Sequence, residues 1–225
     1  MTVDGLEVVV PRGFSQRRIP ELLASKRHWI ERASTRVEAR RRRLELDPPR
    51  LPGRIVLPAV DEEWMVGYCP LGVEARAGAS VRERPGYHLA VTGDSADFDA
   101  CKQALCRWLN RRAREELVPR LAELARRHGL GYERVSIRQQ RTRWGSCSRR
   151  RAISLNAKLV LMPPAAVDYV LLHELCHTVE LNHSPRFWAL VEKHDPEYRA
   201  HKKLVKAAAK AMPPWLDNGT AEGAL

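Results

Sequence analysis

The sequence predicts an α+β fold, and three observations carry that expectation. Residues 1–93 break into short β-branched runs separated by turn residues, around one basic helical stretch. Residues 94–215 place apolar residues mostly at helical spacing. Within them, a strongly apolar helix opened by Pro163-Pro164 ends in a cluster of histidines. The expected organisation is a strand-rich region over 1–93, a helix-rich core over 94–215 and a disordered tail over 216–225.

Element by element, Leu6 to Val10 reads as a strand closed by Pro11. Ser15 to about Leu46 reads as one helix. Its stripe is Ile19, Leu22, Leu23, Ile30, Ala33 and Val37, with Trp29 beside it, and Arg40 to Arg43 lie where cations suit the helix dipole. Asp47-Pro48-Pro49 ends it. Strands are expected at Arg54–Leu57, Trp64–Tyr68, Val73–Arg76, Ser80–Arg84 and Tyr87–Val91, arranged as an antiparallel meander. Asp94 or Ser95 then caps a long helix carrying Phe98, Cys101, Leu105, Trp108, Leu109, Leu117, Leu121 and Leu124. Pro119 is expected to kink or split it, and Gly129 to end it. Two strands follow, Arg134–Gln140 and Ala152–Asn156, with Arg143 to Ser148 as a tight turn between them. After the histidine-bearing helix, one helix runs from Pro185 to about Glu192. A basic amphipathic helix follows Pro196 and continues to about Met212. No internal repeat is present.

At 225 residues the chain can bury a real core. No apolar run reaches the ~18 residues of a membrane span, and Met1 to Gly5 show no secretory signal. The five cysteines lack a CxxC pair and read as reduced, mostly buried thiols, so a cytoplasmic protein is expected. The net charge of +12 gathers at Arg36 and Arg40–Arg43, at Arg107, Arg111, Arg112 and Arg114, and at Arg149–Arg151. Aromatic interleaving is thin and nucleic-acid motifs are absent. Solvated helix faces are therefore favoured over a nucleic-acid surface, with weak polyanion or nucleic-acid contact as a side effect.

The densest chemical signal is His173-Glu174-Leu175-Cys176-His177, with His183 further on. Helical residues four apart lie about 40° apart around the axis, so His173 and His177 can grip one ion together. Glu174 lies at the flank, where a carboxylate can take a proton from water held by that ion. On an unbroken helix His183 would sit about 15 Å from His173, far beyond a zinc–nitrogen bond of about 2 Å. For His183 to ligate, the helix must stop after His177 and the chain must turn back. Asn182 tolerates a left-handed helix end, and Ser184-Pro185 looks like an N-cap with proline at the first helical position. Glu192 and Glu197 are the competing third ligands, with His183 favoured. Cys176, offset from the histidine face, reads as a packing residue.

RWGSCS, ISLN, PxxxxDYVLLHELCH, NHSPRFW and PEYRAHKK together resemble the YgjP-like family of predicted metal-dependent hydrolases, grouped with the SprT-like and WLM-type zinc metallopeptidases. PRGFSQRRIPELLASKRHWI resembles that family's lead-in, and the likeness spans roughly residues 5 to 212. The resemblance implies a zincin-like metallopeptidase core, in which a small antiparallel-rich sheet packs on the active-site HExxH helix, with an N-terminal β-rich and helical extension. It implies Zn2+ on His173, His177 and His183, Glu174 as the catalytic carboxylate and a polypeptide substrate. Metzincins have glycine where this chain has Glu180 and carry a downstream methionine turn, so this chain is not read as one.

A tetrahedral intermediate needs a second electrophile. Tyr198, His194, Arg143 and Trp144 are the candidates, with Tyr198 as the candidate transition-state stabiliser. Trp144 and Asn156 read as structural residues of the sheet beside the site. Two further readings stay open: a zinc-dependent hydrolase of a non-peptide amide or ester, and a polyanion-binding protein with a structural zinc.

Overall fold

The structure is a computed structural model that describes residues 8, 10, 13–46, 48–70, 78–140 and 142–216. The chain forms two compact units, Met1–Pro49 and Arg50–Leu225. The first consists of a 3-10 turn at Gln16–Arg18, α1 (Ile19–Ser25) and α2 (Arg27–Leu46). The single helix expected over 15–46 is thus broken at Lys26, which leaves helical geometry with φ −106° and ψ 5°. The expected strands at 6–10 and 73–76 lie largely or wholly outside the described residues, and Val8 and Val10 show no regular structure.

Among its described residues the second unit holds two small sheets and four α-helices. Strands β1 (Arg54–Leu57), β2 (Glu62–Cys69), β3 (Ser80–Arg84) and β4 (His88–Thr92) form one sheet in the order β1-β2-β4-β3. This is not the meander expected from the turns. β2 pairs with β4 in parallel, Met65 opposite His88, while β3 occupies the outer edge antiparallel to β4. The long connection after β2 lets the chain pass the neighbouring position and return to it, which local turn signals do not encode. Alternation in β1, β2 and β4 puts Ile55, Leu57, Trp64, Val66, Leu89 and Val91 on the buried face.

That face meets α3 (Phe98–His128). Trp108 is fully buried, stands edge-on to Trp64 at 5.4 Å and donates from its indole to Glu83 at 2.9 Å. Arg112 pairs with Glu62 of β2. Residues 50–93 therefore share a core with the long helix, and the chain divides at Pro49 rather than near residue 93. Asp97 is the N-cap, accepting from the Ala100 amide at 2.9 Å, while Asp94 caps the preceding turn through the Ala96 amide. Pro119 does not split the helix. Proline inside a helix costs about 3 kcal/mol, but Leu117 and Leu121 on either side are fully buried and hold both halves in place. Gly129 ends the helix in the left-handed region at φ 65°.

The second sheet, β5 (Arg134–Arg138), β6 (Gly145–Cys147) and β7 (Ala152–Asn156), has the order β5-β7-β6. β5 is parallel and β6 antiparallel to β7, so the sheet beside α4 is evenly mixed, whereas two of the three pairings in the first sheet are antiparallel. Residues 145–147, expected within a tight turn, form the edge strand β6; the turn follows at Ser148–Arg151, with Arg151 at φ 52°. Next come α4 (Pro164–Cys176), α5 (Pro185–His194) and α6 (Tyr198–Lys210). Leu216, expected to begin the tail, is buried, and its carbonyl accepts from the Lys158 ammonium at 3.0 Å. The rest of the tail lies outside the described residues. No helix among the described residues is long and apolar enough to cross a membrane. Three of the five cysteines are buried, and all five are free thiols. Substituting Gly129 with alanine puts a side chain where φ is positive and should cost about 1 kcal/mol, read as a lower urea midpoint at unchanged slope.

Candidate metal centre

α4 is apolar on nearly every side and buried along its length, as expected for a helix without a polar face. That burial carries two polar side chains into the interior: His173 is 1% exposed and Glu174 2%. The helix ends at His177, which keeps right-handed geometry while the next amides tighten into short-range turns. Thr178 bonds to the Leu175 carbonyl at 2.9 Å, and Val179 and Glu180 both bond to that of Cys176. The chain does turn back, but not through a left-handed Asn182, whose φ is not positive. Ser184 is the N-cap of α5, accepting from the Phe187 amide at 3.3 Å, and Pro185 is the first helical residue, as the sequence predicts.

The corner brings three imidazoles together. His183 Nε2 lies 3.0 Å from His173 Nε2 and 3.2 Å from His177 Nε2. Two ligand nitrogens on a tetrahedral ion, with bonds of about 2.05 Å, stand roughly 3.3 Å apart. Hydrogen bonding alone cannot satisfy this set. His177 Nδ1 lies 3.0 Å from the Glu180 carbonyl and donates to it, so Nε2 of that ring presents a lone pair. His183 Nε2 can then donate to His177 or accept from His173, and either choice leaves the other close contact unbonded. His173 Nδ1 is buried without a partner. A divalent cation between the rings resolves both contacts, so the residues present fit one. An all-imidazole donor set suits zinc, copper, iron or nickel.

Burial lowers the pKa of His173, and the charges of His177, His183 and Lys202 push the same way. His177 and His183 are also lowered, chiefly by desolvation. All three are thereby biased toward the neutral form that ligates. Glu174 Oε2 is buried without a partner, and burial pushes the carboxyl up to about 8 against the pull of Arg143. An ionised Glu174 therefore requires positive charge close by.

Aromatic side chains of α5 clamp the rings. Phe187 is fully buried and stacks on His177 at 4.3 Å, while Trp188 stacks on His183 at 5.5 Å and on Tyr198 at 5.6 Å. Tyr198 thus stands one ring away from His183. Arg143 acts electrostatically on Glu174, and Asn156 holds the segment before β6 by donating to the Gln140 and Arg143 carbonyls. His194 is not brought to the histidines; its Nδ1 meets His128 Nδ1 at 3.1 Å. Glu192 is ion-paired with Arg199 at 3.0 Å, and neither it nor Glu197 joins the cluster. Cys176 is buried and outside the cluster, in keeping with packing.

The sequence gives no site role to Phe187, Trp188 or Lys202, and reads Gly145 only as a turn residue. NHSPRFW displays the first two, but their ring contacts depend on the corner. Gly145 needs no unusual φ. A Cβ there would lie 2.5 Å from Glu174 Oε1, so the missing side chain is what lets the carboxylate lie against β6. Of the basic groups, Arg107 donates to the Ala79 carbonyl at 2.7 Å and Arg111 pairs with Glu83 at 3.3 Å. These charges belong to the fold's own surface.

A family model described as YgjP-like, metallopeptidase domain, matches residues 2–208. The chain belongs to that family, as RWGSCS, ISLN and the histidine motif imply. No curated protein matches it significantly. Among solved structures, the crystal structure of the metallopeptidase zymogen of Pyrococcus abyssi abylysin aligns over 43% of this chain and 94% of its own, at 24% identity and a TM-score of 0.38.

Gly145→Ala should force Glu174 off β6 and cost about 1–3 kcal/mol, as overpacking does. The histidines are untouched, so metal content should match that of the wild type while the melting temperature falls. An unchanged melting temperature would mean the carboxylate is not seated there.

Proposed function

We propose that this chain is a zinc-dependent metallopeptidase in which His173, His177 and His183 hold the ion and Glu174 is the general base. The observation that carries the reading is the convergence of three Nε2 atoms at the end of a helix that also buries the Glu174 carboxyl with its Oε2 unpartnered. A structural site needs only ligands; a carboxylate kept in the interior at the cost of its hydration favours catalysis. When bound, zinc supplies Lewis acidity toward a scissile carbonyl and toward water. Glu174 takes a proton from the attacking water and delivers it to the departing amine, so that one water is consumed for each peptide bond. Its seat against Gly145 fixes the direction of that transfer, and the Phe187 and Trp188 stacks keep two of the imidazoles in the ligating orientation. Tyr198, packed on Trp188, is the hydroxyl proposed to donate to the developing oxyanion. Polypeptide is the proposed substrate and the cytoplasm the proposed compartment.

Elemental analysis should find one zinc per chain in the wild type and in Glu192→Ala, and none in His183→Ala. Glu174→Gln should keep the zinc and slow cleavage of an unfolded polypeptide by about 10²–10⁴-fold. Full cleavage by that variant would remove the carboxylate from the chemistry, and turnover of small acyl esters without any peptide cleavage would move the substrate class.

A further inference from the structure

Cations that are largely shielded from solvent in the second unit are mostly paired with carboxylates. Arg112 meets Glu62, Glu115 and Glu116, and Arg120 makes a two-point contact with Asp168 at 2.6 and 2.9 Å. Lys202, on α6, is half-buried and differs from them. Its ammonium lies 4.4 Å over the Trp188 ring and meets no carboxylate among the described residues. The indole face offsets part of the lost hydration. Burial opposes the ammonium most, and the Lys206 charge on the same helix opposes it further.

The location gives this cation meaning. Trp188 is the ring stacked on His183, and the Lys202 charge acts on both His173 and His183. Lys202 is hydrogen-bonded to neither imidazole, and its direct contact is the indole. From the β6 side, Arg143 acts on Glu174 in the same sense. Positive charge thus acts on the histidines from α6 and on Glu174 from the segment before β6. A half-buried ammonium without a counterion is a costly arrangement that an incoming anion relieves. Because it sits beside the histidines rather than between them, the matching anion is a side-chain or terminal carboxylate of a bound chain, next to the bond that is cut.

We propose that Lys202 is a specificity determinant of this site, its ammonium receiving a substrate carboxylate, so that acidic polypeptide segments are the preferred substrates. The inference rests on the metallopeptidase reading and names its substrate class.

The test uses zinc-loaded full-length Glu174→Gln protein, which binds without turning over. The probes are two unstructured peptides of one sequence, one carrying Glu and Asp, its twin carrying Gln and Asn with an amidated terminus. Isothermal titration should show the acidic peptide binding about tenfold tighter or more, the scale of one charge-assisted hydrogen bond. Adding Lys202→Met should abolish that preference and Lys202→Arg should retain it. Arg82→Met on β3, an exposed site with the same loss of one charge, should also retain it and so separates a local effect from the net charge. Equal binding of the twins, or a preference that survives Lys202→Met, overturns the proposal. An acidic twin with a blocked terminus distinguishes a side-chain carboxylate from the α-carboxylate. In parallel, wild-type enzyme is given both peptides. Glu174-dependent cleavage without charge preference sinks the inference and leaves the peptidase reading standing, whereas zinc-replete protein that cuts neither sinks both.

Discussion

The second unit brings an electrostatic conflict to the end of α4. Three imidazole nitrogens are pressed to within about one hydrogen-bond length of a common point, with too few protons among them to bond every pair. Such a cluster persists only if the surrounding structure over-determines it. Two of its members, His173 and the C-capping His177, are buried on a helix that cannot rotate without exposing Tyr169, Val170, Leu171 and Leu172. The third comes from a corner fixed by the capped start of α5. A divalent cation between the rings would resolve the conflict, which is what makes the cluster a candidate metal site.

The supports for this cluster come from separate parts of the chain. α3 supplies the long wall on which the first sheet and α4 both pack. β6 supplies a backbone without a side chain at Gly145, and α5 supplies two consecutive aromatic rings. Adjacent residues of a helix point about 100° apart, so Phe187 and Trp188 stack on different imidazoles from one turn. The order of events in the sequence, from edge strand to apolar helix to corner to aromatic helix, sets the order of contacts around the cluster.

The site was more legible in the sequence than the sheets were. His173, Glu174 and His177 declare themselves through spacing on a helix, and His183 through the need for a turn between Cys176 and Pro185. Helix positions were readable wherever apolar spacing and caps agreed, as at Ser184-Pro185 and Gly129. Strand order was not, because the parallel pairing of β2 with β4 depends on which partner wins among distant segments. The mechanism of the corner was misjudged at Asn182, since the reversal uses tightened amide turns that any residue can adopt. Pro119 misled in the opposite direction: a strong local breaker was overruled by the leucines on either side. The contact between Gly145 and Glu174 had no local signal, because it exists only once β6 and α4 are packed.

The corner between α4 and α5 also shows where this architecture is brittle. The residues between His177 and His183 add little to the core; Val179 and Leu181 are largely exposed, and the amides of Thr178, Val179 and Glu180 bond back to main-chain carbonyls of α4. Composition there is nearly free, but length is not. Adding or deleting one residue would swing His183 to another bearing while both flanking helices kept their packing. The segment therefore behaves as a spacer whose residue count is under constraint while its alphabet drifts, and its indel record across relatives should be quieter than its substitution record.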